Sequence, residues 1–309
     1  MLHRTAWLIA LLLLLLGKSA FALSVDPQLI QLVPPQTRLV AGMSSSTAQG
    51  KTATFLLITG ENKADLNDFF ALTGGDASRR IQSVVFVTGA APDTDANEHS
   101  LLASGKFDRD SIFRYGAAGA RRQSYRNVPV LVVPPFERER ETFRETRWLA
   151  VLDGHIAIFG SVGSVQRELD RWIDRSTSDP LLIGRLQRIS GHDDSWCVLL
   201  ARDRDRITEG VLRRLDGKLG EVAHQGGFLA YGIKFGRKIE VVAAAEPFPS
   251  KIWNAPSDMP GVTSSAAMHF FSSPSNENAG RRALVKVSRR RYEEWTAQFE
   301  SRDALLATR

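Results

Sequence analysis

The chain has 309 residues, 43% of them hydrophobic, with a formal charge of +6 and one cysteine. That length suits one large domain or two smaller ones, with enough apolar residues for a core. A single cysteine excludes an intramolecular disulfide and a cysteine-rich zinc site, and the close mixing of signs in DRDRITEGVLRRLDG argues against a dedicated phosphate-binding face.

Residues 1–22 have the three parts of a secretory signal peptide. Arg4 gives a basic start, Ala6 to Leu16 is an unbroken apolar run, and Ala20-Phe21-Ala22 is a small-x-small cleavage site. The run is shorter than the roughly 20 apolar residues a membrane-spanning helix needs. The expected mature chain begins at Leu23 and is periplasmic or extracellular, with no stable membrane insertion after cleavage.

Leu23 to Val33 reads as a lead-in, and Pro34-Pro35 as a rigid turn. Thr37 to Met43 is the first strand. Asn62 to Leu72 carries Leu66, Phe69 and Phe70 at helical spacing. Ile81 to Thr88 is a strand rich in β-branched residues, and Ser100 to Phe107 is its partner. Asp108 caps a short helix that ends at Tyr115, and Val128 to Val133 is a strand stopped by Pro134-Pro135. Asp153-Gly154 between two apolar runs marks a hairpin, Trp148–Leu152 with His155–Phe159. Ser164 to Ile173 follows as an amphipathic helix, with Ser164 as its cap and Val165, Leu169, Trp172 and Ile173 on one side.

The second half has a similar rhythm. Leu181 to Ile189 and Asp205 to Leu215 read as helices, and Ser195 to Leu200 as a strand. Gly227–Phe235 and Lys238–Ala245 form a hairpin around Gly236-Arg237. Thr263 to Phe271 is a strand or short helix, and the stretch from Val285 to Phe299 ends as a peripheral helix. The order strand, helix, strand, strand is expected twice, over Ser100–Phe159 and Ser195–Ala245. The expected fold class is α+β: antiparallel sheets with helices packed on one face, in two related units. The expected division is 1–22 leader, 23–178 first unit, and 179–309 second unit with a helical tail.

PPQTRLVAGMSS after a leader, SVVFVTG with LLASGKFD, WLAVLDGHIAIFGSVGSVQRELDR, WCVLLARDRD and FLAYGIKFGRKIEVVAAAE together resemble a family of uncharacterised secreted bacterial proteins, known especially from acidobacteria. The resemblance covers Pro34 to Ala245. It implies a signal peptide and a duplicated α+β region, and brings no catalytic residues with it. A further hairpin-and-helix segment is expected near the end of such chains. ALVKVSRRRYEEW stops soon after it begins, so the second unit reads as incomplete.

Candidate chemistry is sparse. Asp153 and His155 flank a turn and could form an acid–base pair, although a turn-setting Asp and an outward His explain them as well. His192, Asp193, Asp194 and Ser195 bring residues of hydrolysis together. His192 and Asp193 are the weak catalytic candidates, and Asp193 and Asp194 the weak metal candidates. No G-x-S-x-G elbow is present. His3, His99, His155, His192, His224 and His269 show no zinc-ligand spacing. Gly160 to Ser164 lies between a strand and a helix, so its amides could meet a phosphate. A plain strand-to-helix connection is the simpler reading. Gly74-Gly75 and Gly226-Gly227 are turns. Cys197, in SWCVLLA, reads as a buried core residue. Arg121, Arg122, Tyr125 and Arg126, then Arg138, Arg140, Arg144 and Arg147, mix basic and aromatic residues, but interleaved Glu137, Glu139, Glu141 and Glu145 point to a solvated, salt-bridged surface. Arg289-Arg290-Arg291 reads as a solvated basic turn, with contact to anionic lipid or nucleic acid the lesser reading.

The function class that remains is a non-enzymatic binding or envelope-structural role, with an envelope protein, peptide or polymer as partner. No cofactor and no nucleic acid are expected. The alternative is an envelope hydrolase, metal-assisted or not, built on residues 192–194.

Overall fold

The computed structural model describes residues 25–35, 37–44, 63–73, 80–90, 97–115, 119–135, 137–138, 141–142, 145–176, 194–201, 216–223, 227–246 and 281–294. Among these residues eleven strands form one sheet: β1 (Thr37–Ser44), β2 (Ile81–Ala90), β3 (Asn97–Gly105), β4 (Arg121–Tyr125), β5 (Val128–Val133), β8 (Arg147–Leu152), β9 (Ile156–Ser161), β10 (Ser195–Ala201), β11 (Gly227–Lys234), β12 (Ile239–Glu246) and β13 (Arg281–Val287). A separate small ribbon pairs β6 (Glu137–Arg138) with β7 (Glu141–Thr142). The order across the sheet is β13-β12-β11-β10-β1-β2-β3-β9-β8-β5-β4, and every neighbouring pair is antiparallel. The α+β class with an antiparallel sheet and two similar halves is therefore present.

The halves meet where β1 pairs with β10, Ala41 opposite Cys197. Outward from that pair the two sides match. Phe86 of β2 stands opposite Ala41, as Tyr231 of β11 stands opposite Cys197. Leu101 of β3 is opposite Phe86, and Ala243 of β12 is opposite Tyr231. A helix lies between the first and second strands of each trio: α2 (Lys63–Thr73) and α5 (Gly217–Ala223). Their inward residues, Leu66, Phe69 and Leu72 in one and Leu219 and Val222 in the other, join the same core on the same face. The match to β10–α5–β11–β12 in space is β1–α2–β2–β3, not the Ser100–Phe159 segment that the order of elements suggested. A local rhythm of strands and helices does not say which strands become neighbours, and the pairing does.

The two faces of the sheet differ. On the first face, α2, α3 (Arg109–Tyr115), α5 and a helical turn over 289–294 cover one continuous core. On the second face, α1 (Pro27–Leu32) and α4 (Val162–Ile173) cover the first half: Val85, Leu102, Val130, Trp148 and Ile158 are all buried there with Leu29, Ile30, Val165 and Leu169. The strands of this half have apolar residues in both registers, as VVFV, VLVV and IAIF, which double burial requires. In the second half the described helices keep to the first face. There the second face carries Ala230, Gly232, Val242, Ala244 and Leu284.

Most boundaries follow the sequence signals within two or three residues. Asp153 and Gly154 both adopt positive φ, +48° and +67°, and with His155 they make the three-residue connection between the paired Leu152 and Ile156. Arg126 and Asn127 do the same between β4 and β5, at +47° and +69°, so the Arg121–Arg126 segment is an edge hairpin. The lead-in before Pro34 contains α1, capped by the Asp26 side chain, which accepts from Gln28 N–H at 2.9 Å. Ser161, not Ser164, stands at the N-cap of α4, and Ser164 is buried in its first turn. Cys197 is buried as expected. The expected helices at 181–189 and 205–215 and the element at 263–271 lie outside the described residues.

Gly42 sits directly across the central pair from Trp196, whose side chain is fully buried. A Cβ at 42 would run into the indole ring. Gly42→Ala should cost about 1–3 kcal/mol of unfolding free energy by denaturant titration. Adding Trp196→Phe should recover part of that loss, and a fully additive double variant would count against this contact.

Candidate functional site

His155 is not paired with Asp153, which is exposed in the turn. Its Nδ1–H donates to the Gly105 carbonyl at 3.0 Å, since a carbonyl can only accept. Its Nε2 meets Asp26 Oδ2 at 2.8 Å. Asp26 also donates its backbone N–H to Ser83 Oγ at 3.1 Å, and the Ser83 and Ser104 hydroxyls lie 2.7 Å apart. Nδ1 thus anchors the ring to β3 and Nε2 ties it to the Asp26 cap of α1, and neither faces a serine as a general base would. Arg171 Nε–H donates to the Gln31 carbonyl at 2.9 Å and ties α1 to α4. Asp26→Ala removes the cap and the imidazole contact together. It should cost about 1–2 kcal/mol and speed proteolytic cleavage within 25–33, read by a melt and a timed digest.

His192 and Asp193 lie outside the described residues. Asp194 is a structural lock: its carboxylate accepts from Phe235 N–H at 2.7 Å, and its own N–H donates to the Ile233 carbonyl at 2.9 Å. That fixes the entry to β10 against the end of β11. Among the described residues no group of three or more His, Cys, Asp or Glu side chains is placed to hold a metal ion. His99 packs against Phe86, ring centroids 6.0 Å apart. His3, His224 and His269 lie outside the described residues. In the basic–aromatic set, Arg126 bridges Asp170 and Asp174 at 2.7 and 2.8 Å, and the Tyr125 hydroxyl donates to Asp170. The Asp174 and Asp170 carboxylates hold the Arg126 guanidinium further above its ordinary value, and Arg126 in turn holds Asp174 below the usual carboxylate range.

The start of α4, weighed above as a phosphate site, is occupied by the protein's own carboxylate. Glu98 of β3 places Oε1 against Gly163, where a Cβ would collide with it, and pairs with Arg167. A carboxylate at a helix N-terminus is favoured by the helix dipole. Gly160 is required for the same approach, because a Cβ there would strike the His99 carbonyl.

One turn further along α4 is the residue that the sequence reading missed. Glu168 is fully buried, the Ser100 hydroxyl of β3 donates to its Oε1, and Oε2 has no hydrogen-bond partner. Burial pushes its pKa up to about 8, with the Ser100 hydrogen bond and the Arg167 charge pulling partly back. Its signal was its spacing: Glu168 falls on the inward stripe with Val165, Leu169 and Trp172, where a charge is out of place. An acid with a raised native pKa holds its proton more tightly when folded. Its contribution is complete below the ordinary value near 4.5 and is lost as pH rises toward about 8. Glu168→Gln should flatten that decline in melts across this range and add about 1–3 kcal/mol at its upper end. A wild-type stability independent of pH over the same window would contradict the assignment.

Among the described residues no helix is long and apolar enough to cross a membrane. No family model matches the chain, and no curated protein matches it. Among solved structures, crystal form I of TP0453 is similar with a TM-score of 0.46 at 11% identity, covering 89% of this chain and 97% of that one. A likeness at that level speaks to neither family nor function.

Proposed function

We propose that the chain is an exported protein of the bacterial envelope, periplasmic or extracellular, that acts by binding an envelope component rather than by catalysis. The leader over residues 1–22 and the resemblance of Pro34–Ala245 to secreted acidobacterial proteins support export. Of the polar side chains that drew attention in the sequence, His155 and Asp194 are committed to holding elements together. The observation that carries the reading is the second face of the second half. Leu284 on β13 is 52% exposed there and is the one large hydrophobic residue exposed among the described residues. It stands opposite Val242 in a sheet face whose counterpart in the first half is covered by α1 and α4.

A photo-crosslinking residue at 284, introduced in cells, tests this. The expected result is a protein whose envelope form begins at Leu23 and gives adducts from 284 but not from Lys218 on α5. A cytoplasmic protein that keeps Met1 would sink the export reading. Hydrolysis of an envelope substrate, lost on His192→Ala and Asp193→Ala, would replace binding with the hydrolase.

A further inference from the structure

Charges that alternate along the sequence are gathered by the fold at one corner of the sheet. The β11–β12 turn carries Lys234, Arg237 and Lys238, and the end of β13 with the turn after it carries Lys286, Arg289, Arg290 and Arg291, all exposed. The register brings the two groups together: Lys234 is opposite Glu240, Glu240 is opposite Lys286, and Ile239 is opposite Val287. Phe235 and Tyr292 fix the corner, their rings meeting edge-on with centroids 5.4 Å apart and Tyr292 buried.

Among the described residues four carboxylates share this corner, and each is engaged. Glu240 pairs with Lys286 at 2.6 Å, Glu293 with Arg289 at 3.5 Å and Glu294 with Arg290 at 2.8 Å, while Asp194 caps Phe235 N–H. Among the described residues the positive surplus is centred on the β11–β12 turn, where Lys234, Arg237 and Lys238 are exposed. Leu284 lies two residues before Lys286 on the same face of β13, exposed beside these charges. A polyanionic polymer would satisfy the cations and give Leu284 nothing. A bilayer surface offers phosphate-bearing headgroups to the one and the acyl boundary to the other.

We infer that this corner docks peripherally on an anionic phospholipid surface, with Lys234, Arg237 and Lys238 at the headgroups and Leu284 at the acyl boundary. The inference rests on the reading of the chain as an exported binding protein and names its partner as lipid.

Flotation of the chain from Leu23 onward with vesicles tests it without regard to cell location. The chain should float with phosphatidylglycerol–phosphatidylcholine vesicles and not with phosphatidylcholine alone. About 1 M salt, where the screening length falls to about 3 Å, should release it. The variant Lys234→Ser/Arg237→Ser/Lys238→Ser should bind about tenfold or more weakly, with an unchanged melt. Leu284→Ser should weaken binding several-fold and leave the salt dependence as it was. Arg121→Ser/Arg122→Ser, on the opposite edge strand, should bind like the wild type. No flotation, or undiminished flotation of the triple variant, would overturn the inference. So would soluble polyphosphate that displaces the vesicles while Leu284→Ser has no effect. Adducts from position 284 to an envelope protein, with no vesicle binding, would remove the lipid and leave the binding role intact.

Discussion

The pairing of β1 with β10 is the constraint on which the rest of this structure depends. Five residue pairs, Leu39 with Leu199 through Met43 with Ser195, join two strand trios that share a core but no other strand pairing among the described residues. The two sides of this seam are built differently. On one, Ala41 and Cys197 are small and leave room for Phe86 and Tyr231 beside them. On the other, Trp196 lies over Gly42 and fills the space that a second side chain would take. One glycine and one tryptophan are thus complementary across the junction, and the indole N–H is left without a hydrogen-bond partner. Shape fixes this side of the seam.

From that seam follows an asymmetry that bears on function. The first half is a three-layer structure, with its sheet between α2 and α3 on one face and α1 and α4 on the other. Polar side chains help to hold the second layer, among them Asp26, His155, Glu98, Arg167, Ser100 and Glu168. Their chemistry looks like that of a catalytic site only until their partners are counted. The second half keeps its described helices on one face and carries small, partly buried residues and the exposed Leu284 on the other. The proposed binding role falls on the half whose described residues leave Leu284 exposed.

Much of the fold was legible in the sequence. Asp153-Gly154 set a hairpin because both positions accept positive φ, and VPVLVV and IAIF were strands because β-branched and apolar residues suit a buried sheet. Three things were not legible, for physical reasons. The six residues of α1 are too few for periodicity to register, and the helix is held by its cap and by distant partners. The seam is a long-range contact between residues about 155 positions apart, and no local pattern encodes which edge meets which. The basic corner is likewise a product of register: Lys234 and Lys286 are far apart in the chain and become neighbours only through Glu240. Of the site residues, Glu168 could have been found from its inward spacing. Asp26 as the partner of His155 could not.

If the seam makes the two trios one cooperative unit, native-state hydrogen exchange measures it most directly. The backbone amides of β1 and β10, over residues 39–43 and 195–199, should be among the slowest in the chain. They should open only with global unfolding, together with those of β2 and β11. Exchange of the β10–β11–β12 amides at a lower free energy than the β1–β2–β3 amides, as a separate opening, would show two independent units resting side by side and would contradict the account.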